Sequence, residues 1–338
     1  MQSEGDTARG AGLRGMGRTM LRFQSLFGLA AILMLSAILS PVREGRPIFL
    51  APDNLLNVVR FASENGVIAV GMTLVILTGG IDLSVGATLA LCAVGAAACL
   101  MRYHLGVGLT IALMLALGSL VGAVNGAITT RFKVQSFITT LAMMSTARGV
   151  ASLWAGGYAI PLAFGTGSGD ASPLFKSLFA GQWTVLGLGL PAQLFYFVGA
   201  GAVATFVLNR TGFGRHVYAV GGNAAAARLS GVAVTRVQVT VFAVSGFLAG
   251  LAALLHAALV EQGSHIDGSG YELNAIAAVV IGGTSLSGGV GTVVGTMIGA
   301  LILSILDNIL GLRNVQSEYQ AILKGVIIVL AVIVQRKR

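Results

Sequence analysis

Apolar residues occupy long stretches of the chain, separated by short polar or glycine-rich segments. A stretch of about 18 or more apolar residues can cross the hydrocarbon core of a bilayer as a helix. Within lipid only helices and closed barrels satisfy their own backbone hydrogen bonds. Such stretches predict ten spans, of which the eighth is the shortest: 23–40, 55–78, 84–101, 107–130, 134–155, 184–208, 237–260, 273–287, 291–311 and 319–334. The pattern therefore predicts an all-α polytopic membrane protein with some broken or short helices.

The composition agrees with this class and excludes two others. Only 10% of the residues are charged and 55% are hydrophobic, whereas an average soluble domain has roughly a quarter charged residues. The 48 glycines lie mostly inside the apolar stretches, at about twice the usual frequency. A soluble domain and a disordered chain are both excluded, because neither combines so little charge with so much apolar surface.

The net charge of +9 predicts an orientation in the membrane rather than binding to nucleic acid. If the N-terminus is cytoplasmic and the spans alternate, thirteen basic residues fall in cytoplasmic segments and five in external ones. This asymmetry is the one expected from the positive-inside rule. We therefore expect a lipid-embedded domain, 23–334, between two cytoplasmic tails, 1–22 and 335–338.

No pattern for catalysis, metal binding or nucleotide binding is found in the sequence. Cys92 and Cys99 are seven residues apart, about 10 Å along a helix and beyond disulfide reach. The four histidines lack metal-ligand spacing, and no serine lies in a G-x-S-x-G elbow. No lysine follows glycine as a Walker A loop requires. Work driven by ATP would therefore need a second chain to bind ATP and Mg²⁺.

An internal repeat predicts two breaks in the helices. Residues 79–86 (GGIDLSVG) and 282–289 (GGTSLSGG) share Gly-Gly-x-x-Leu-Ser-x-Gly. Non-helical backbone at membrane depth is tolerated only where protein or a watery cavity satisfies it, as at transporter sites. The alternative is that small residues simply recur at helix ends. The candidates for lining a translocation pathway are Gly79, Gly80, Asp82, Ser84, Gly86, Gly282, Gly283, Ser285 and Ser287.

Charged residues inside the spans are informative because each costs free energy unless it is compensated. Asp82 is expected to cap the following helix, with direct contact to a substrate as the alternative. Glu64 and Asp307 lie near span ends, where solvated or paired roles are expected. Arg148 is a candidate to pair with a buried acid that the sequence does not identify.

Two connecting segments are long enough to suggest a function. Residues 156–183 are external in the predicted topology and contain aromatic and turn residues but little charge. Residues 209–236 are cytoplasmic, basic and free of acidic residues, and a short helix is expected around 223–230. Glycines at every fourth position, as at 118, 122 and 126 or at 291, 295 and 299, predict closely packed helix faces.

Three long motifs in order give the sequence a family resemblance. They are AVGMTLVILTGGIDLSVGATLAL (69–91), RTGFGRHVYAVGGNAAAARLSGV (210–232) and GSGYELNAIAAVVIGGTSLSGG (268–289). From about residue 50 to 334 the chain resembles the membrane subunits of bacterial monosaccharide ABC importers, with ribose-type permeases as the nearest likeness.

The resemblance implies a ten-helix permease in the bacterial cytoplasmic membrane that pairs with itself or with a sister permease. It also implies cytoplasmic ATP-binding subunits and an external sugar-binding protein that docks near 156–183 and 261–271. The residues that resemble the family's ATPase-coupling segment are Gly222, Asn223, Ala226, Ala227, Arg228, Leu229, Ser230 and Gly231.

One departure from the family leaves the substrate open. Asn274 stands where family members often have Asp, so an acid-dependent role is not expected there. Besides a monosaccharide, the alternatives are a nucleoside, a branched-chain amino acid or a sugar-like signal molecule. An ion-coupled carrier that acts alone is a rival of a different class.

Overall fold

The structure is a computed structural model, and it describes residues 24–43, 45–167, 169–185 and 187–336. The predicted cytoplasmic tail 1–22 lies outside the described residues. Within these ranges the chain is mainly helical. Its thirteen helices are α1 (Gln24–Leu39), α2 (Pro52–Leu77), α3 (Val85–Met101), α4 (Val107–Arg131), α5 (Ser136–Ala155), α6 (Pro173–Phe179), α7 (Ala192–Arg210), α8 (Gly212–Gly222), α9 (Ala224–Leu229), α10 (Val234–Val260), α11 (Tyr271–Ile281), α12 (Val293–Leu312) and α13 (Ser317–Arg336).

Short strands occur only in segments that connect the helices, among the residues described. They form three antiparallel two-stranded sheets: β1 (Val42–Arg43) with β2 (Arg46–Pro47), β3 (Ile160–Pro161) with β6 (Gln262–Gly263), and β4 (Gln182–Val185) with β5 (Leu188–Pro191). The β3–β6 pair joins two segments that are about a hundred residues apart in sequence.

One helix corresponds to each of the ten predicted spans. The prediction of a mainly helical polytopic membrane protein is confirmed. Five helices, α2, α4, α7, α10 and α12, are long and apolar enough to cross a membrane. The helices α1, α3 and α11 are apolar but shorter. α5 has 20 residues and is nevertheless not among the five.

Two predicted span boundaries are wrong. The span predicted at 184–208 begins as a helix only at Ala192, because 182–191 fold into the β4–β5 hairpin. Gly187 at the hairpin turn has a positive φ of 81°, which glycine adopts without steric cost. The span predicted at 273–287 ends as a helix at Ile281, where Gly282 and Gly283 follow.

The core lies around α3, which is buried from Val85 to Leu100 between α4, α5 and α10. The predicted glycine packing is confirmed between α4 and α10. A Cβ added at Gly118 would overlap the carbonyl oxygen of Gly246, and the reverse substitution would overlap that of Gly118. Glycine therefore lets these two backbones touch. Gly291, expected on a helix face, lies instead before the start of α12.

Candidate functional site

The first predicted break is non-helical and buried. α2 ends at Leu77 and α3 begins at Val85. Asp82 Oδ1 accepts hydrogen bonds from the Ser84 backbone N–H at 3.0 Å and from the Ser84 hydroxyl at 2.6 Å. Asp82 Oδ2 accepts a third bond from the Ser245 hydroxyl on α10, at 3.2 Å. Through its bonds to Ser84, the Asp82 carboxylate closes the turn that precedes α3. The residue is only 1% exposed.

Other helices hold the backbone of this break. The Ile81 N–H donates to the Ser136 hydroxyl at 3.0 Å, and the Leu83 N–H donates to the Thr140 hydroxyl at 3.1 Å. Both hydroxyls belong to α5. Asn125 on α4 donates to the Ser84 hydroxyl at 2.8 Å. Side chains of neighbouring helices thus satisfy backbone groups that cannot bond within a helix.

The second predicted break lies between Ile281 and Val293 and repeats the same turn. The Ser287 N–H donates to the Ser285 hydroxyl at 3.2 Å, and these two residues align with Ser84 and Asp82 in the repeat. Here the turn is more exposed than the first, and Ser287 is on the surface. The two sequences therefore specify one local geometry in two different surroundings.

The two breaks meet each other at the end of α8. The Gly289 N–H donates to the carbonyl oxygen of Leu77 at 2.9 Å. Gly221 lies against the same groups, because a Cβ added there would overlap Leu77 O and approach Gly289 N. A Cβ at Gly288 would likewise be 2.9 Å from Gly79 N. We call this contact of three backbones the glycine junction.

The basic segment 209–236, predicted to be cytoplasmic, contains two short helices, of which only the second was predicted. α9 matches the helix expected around 223–230, and Asn223 caps it by accepting the Ala226 N–H at 2.9 Å. α8 was missed, although Thr211 caps it by accepting the Gly214 N–H. The predicted coupling residues Gly222, Asn223, Ala226, Arg228, Leu229, Ser230 and Gly231 are exposed, and Ala227 is buried.

Leu229 is the most exposed large apolar residue of this segment. Its exposure is 91%, and it lies at the end of α9 beside Arg228.

Two carboxylates inside the helices are paired, as one of the sequence alternatives held. Glu64 Oε1 lies 2.6 Å from His256 Nδ1, and Asp307 Oδ2 lies 2.9 Å from Lys324 Nζ. His256 Nε2 also lies 3.6 Å from Asp267 Oδ1. The sequence analysis missed this Glu64–His256–Asp267 cluster, because residues nearly 200 positions apart share no spacing. Within the described ranges no group of His, Cys, Asp or Glu is arranged to hold a metal ion.

Arg148 pairs with no acidic side chain among the residues that the structure describes, and there that expectation is wrong. Its Nη1 donates to the backbone carbonyls of His265 at 2.7 Å and Asp267 at 3.2 Å. The guanidinium group therefore satisfies non-helical backbone between β6 and α11.

The two segments predicted to form an outer docking surface are in contact. β3 from the first pairs with β6 beside the second. Lys176 Nζ also lies 2.6 Å from Glu261 Oε1, with both side chains about half exposed. The segments 156–183 and 261–271 thus form one surface.

Comparison with known proteins gives the family. The family described as "Branched-chain amino acid transport system / permease component" matches residues 54–332. The chain is 44% identical over 319 residues to the ribose import permease protein of Haemophilus influenzae, covering 94% of each chain. It is 41% identical over 321 residues to that of Bacillus subtilis, again covering 94% of each.

A sugar permease of a third bacterium is also similar. The L-arabinose ABC transporter permease protein of Azospirillum brasilense is 37% identical over 296 residues, which cover 86% of this chain and 82% of that one. No solved structure matches the chain. The family match spans most of the chain and the three relatives are aligned over nearly all of it, so the chain belongs to the transport permease family described as the branched-chain amino acid transport system permease component.

Proposed function

We propose that this chain is the membrane subunit of an ATP-binding-cassette importer in the bacterial cytoplasmic membrane. Its substrate is a monosaccharide, ribose or a similar pentose or hexose. The relatives named for ribose and arabinose support the sugar class, since they are similar over nearly the whole chain. The protein is a transport subunit, and the ATP and Mg²⁺ are bound by a partner chain.

The proposal includes ten membrane crossings with both termini in the cytoplasm. Ten helices at the positions of the ten predicted spans, and the excess of basic residues in alternate loops, support it. The permease works as a dimer with a second copy or a sister chain, together with cytoplasmic ATPase subunits and an external sugar-binding protein. The surface that joins 156–183 to 261–271 is the docking site for the binding protein.

The observation that carries the mechanism is the glycine junction. In the proposed topology α8 and α9 are cytoplasmic, and the ATPase subunit docks on α9, where Leu229 and Arg228 are exposed. A movement of α9 reaches Gly221 through α8, and Gly221 touches the backbone of both helix breaks. ATP-driven closure of the ATPase dimer thus acts on the breaks at 79–86 and 282–289. These breaks line the pathway in the alternating-access cycle, and ATP biases the cycle by binding one state more tightly.

Two glycines of α8 test this coupling. Gly221→Ala places a Cβ onto the backbone of Leu77, whereas a Cβ at Gly212 meets only the flexible end of Arg215, at 3.6 Å. Overpacking of this kind costs about 1–3 kcal/mol, so we expect a roughly tenfold or larger loss of ATP-driven uptake for Gly221→Ala. Gly212→Ala should keep uptake within about twofold. Uptake is measured in proteoliposomes that contain the permease, its ATPase and the loaded binding protein.

ATPase docking is tested separately with Leu229→Asp. Leu229 is 91% exposed and packs little against the rest of the chain, so its substitution should leave the fold unchanged. Association of the ATPase subunit with the purified permease should weaken about tenfold or more, because a charge replaces an apolar contact. Equal uptake by Gly221→Ala and Gly212→Ala, together with unchanged ATPase association for Leu229→Asp, would disprove the coupling role.

The substrate class is tested on the wild-type assembly. Calorimetry on the binding protein encoded beside this permease should give a monosaccharide as its ligand. A nucleoside, a branched-chain amino acid or a sugar-like signal molecule as the ligand would replace the monosaccharide and keep the importer. Uptake driven by an ion gradient, without ATP or a binding protein, would overturn the importer itself.

A further inference from the structure

The Glu64–His256–Asp267 cluster joins three separate elements of the fold. Glu64 lies on α2, His256 lies near the end of α10, and Asp267 lies in the non-helical backbone that precedes α11. Glu64 Oε1 is 2.6 Å from His256 Nδ1, and Asp267 Oδ1 is 3.6 Å from His256 Nε2. The side chains of Glu64 and Asp267 are only 2% and 9% exposed. The imidazole ring thus stands between two carboxylates that have little contact with water.

This arrangement favours a ring that is protonated on both nitrogens. A carboxylate accepts hydrogen bonds and does not donate them, so a ring nitrogen that donates to one has to carry a proton. Both nitrogens of His256 face a carboxylate oxygen, and a ring that donates from both is an imidazolium cation. Since a buried charge without its partner is costly, the cation and the two carboxylates hold one another in place.

At one end of the cluster, Asp267 belongs to a closed turn that continues from the outer docking surface. Asp267 Oδ2 accepts the Ser264 N–H at 2.7 Å, and the Asp267 N–H donates to the carbonyl oxygen of Ser264 at 3.1 Å. Arg148 on α5 also holds the carbonyl oxygen of Asp267. Immediately before Ser264, β6 pairs with β3. A displacement of the β3–β6 pair is therefore passed to the Asp267 side chain.

At the other end of the cluster, Glu64 belongs to a helix that reaches the glycine junction. α2 is unbroken from Pro52 to Leu77, and about 20 Å of helix lies between Glu64 and Leu77 at 1.5 Å per residue. The carbonyl oxygen of Leu77 accepts the Gly289 N–H at 2.9 Å and lies against Gly221. An unbroken helix can carry a displacement along its length to the contacts at its end.

We propose that the Glu64–His256–Asp267 cluster couples the outer docking surface to the glycine junction through α2. When the loaded binding protein docks outside, the turn before α11 shifts, and His256 passes this shift to Glu64. α2 then moves against Gly221 and so acts on α8, α9 and the ATPase subunit. The three side chains of the cluster are positioning residues in this route. This inference rests on the proposed function, and it adds the route by which the external partner stimulates ATP hydrolysis.

Stimulated ATP hydrolysis tests the route. The full assembly in proteoliposomes is titrated with loaded binding protein, and each variant is compared at equal amounts of assembled complex. Two quantities are measured: the maximal ratio of stimulated to basal hydrolysis, and the binding-protein concentration that gives half of the maximal effect. The variants are Glu64→Gln and Asp267→Asn, which each remove one charge and keep the shape of the side chain.

We expect each variant to lower the maximal stimulation about fivefold or more, within the usual range of coupling between two sites. The half-maximal concentration should stay within about twofold, because Glu64 and Asp267 lie beneath the surface that the binding protein contacts. The double variant should lose no more than the stronger single variant, since both carboxylates act through the same ring. Independent structural damage would instead multiply the two losses.

The matched control is a second ion pair that joins two helices. Asp307 on α12 lies 2.9 Å from Lys324 on α13, and it has no place in the proposed route. Asp307→Asn removes a carboxylate from an ion pair in the same way as Asp267→Asn. Its maximal stimulation and its half-maximal concentration should both stay within about twofold of the wild type.

Three outcomes would overturn the route. They are full stimulation of both variants, a multiplied loss in the double variant, and a raised half-maximal concentration with an unchanged maximum, since the cluster would then only shape the docking surface. Asp267→Asn keeps an oxygen for the Ser264 N–H, so it gives the result even if Glu64→Gln fails to assemble. A wild-type assembly that the binding protein does not stimulate would count against the proposed function itself.

Discussion

The two helix breaks share a sequence pattern and a turn, yet they differ in their surroundings. In both, the side chain at the fourth position of Gly-Gly-x-x-Leu-Ser-x-Gly accepts the backbone N–H two residues later. In the first break that residue is Asp82, which is buried and also bonded by Ser245 of another helix. In the second it is Ser285, which lies nearer the surface and whose hydroxyl, among the residues described, bonds only the Ser287 N–H.

The comparison shows that the same turn can be stabilised in two different surroundings, one buried and one nearer the surface. A carboxylate in a buried turn is stable only with several donors, since an unpaired buried charge is costly. Asp82 has three such donors from Ser84 and Ser245. The uncharged hydroxyl of Ser285 needs no such support. The side chain in the first break is therefore held by more bonds, including one to another helix, than its counterpart in the second.

The largest effect is expected from removing the acceptor in each break. Asp82→Ala leaves three buried donors unsatisfied and should lower the free energy of unfolding by about 3 kcal/mol or more. Ser285→Ala should change it by no more than about 0.5 kcal/mol, because its turn is solvated. Thermal unfolding of the purified chain in detergent measures both. Similar shifts for the two variants would refute the contrast between the breaks.

An exchange of the two residues should give a smaller effect. Asp82→Ser keeps a hydroxyl acceptor for the Ser84 N–H but loses the charge-assisted bonds, so we expect a loss of about 2 kcal/mol. Ser285→Asp should be nearly neutral, within about 0.5 kcal/mol, since water solvates the new carboxylate. The same unfolding measurement is used, with Asp82→Asn as the isosteric control. A strongly destabilised Ser285→Asp would mean that the second break is as confined as the first.

The smallest effect concerns a single supporting donor. Ser245→Ala removes one of the three bonds to Asp82 and should cost about 1 kcal/mol. Ser287→Ala, on the exposed break, is its matched control and should cost almost nothing. A double-mutant cycle of Ser245→Ala with Asp82→Ala should show a coupling energy of about 0.5 kcal/mol or more. Additive effects would mean that Ser245 does not support the carboxylate.

Much of the fold could be predicted because the driving pattern is local. Stretches of apolar residues indicated the helices, and the predicted second span ended, like α2, just before Gly79 and Gly80. The predicted start of the sixth span was wrong because Trp183, Thr184 and Val185 are apolar enough to extend a helix in a hydropathy pattern. These residues instead pair as a strand with Leu188–Pro191. A hydropathy pattern does not predict which backbone groups form hydrogen bonds with each other.

The candidate site was predicted in its parts but not in its arrangement. The exposed helix around 223–230 and both breaks were recognised from motifs. The Glu64–His256 pair and the bonds of Arg148 to non-helical backbone were not, since they join residues more than a hundred positions apart. The spacing of Ser136, Thr140 and Arg148 on one face of α5 was the available signal for the bonds of α5 to non-helical backbone.

The sequence by itself determined the protein class, most helix positions, the two turns and the helix around 223–230, because each follows from composition or from interactions between near neighbours. Only the tertiary structure decided that both breaks meet at Gly221, that Asp82 is buried, and that Arg148 of α5 bonds the backbone of 265 and 267. These depend on contacts between distant segments, whose free energies are set by packing and burial and are encoded in no single stretch of the chain.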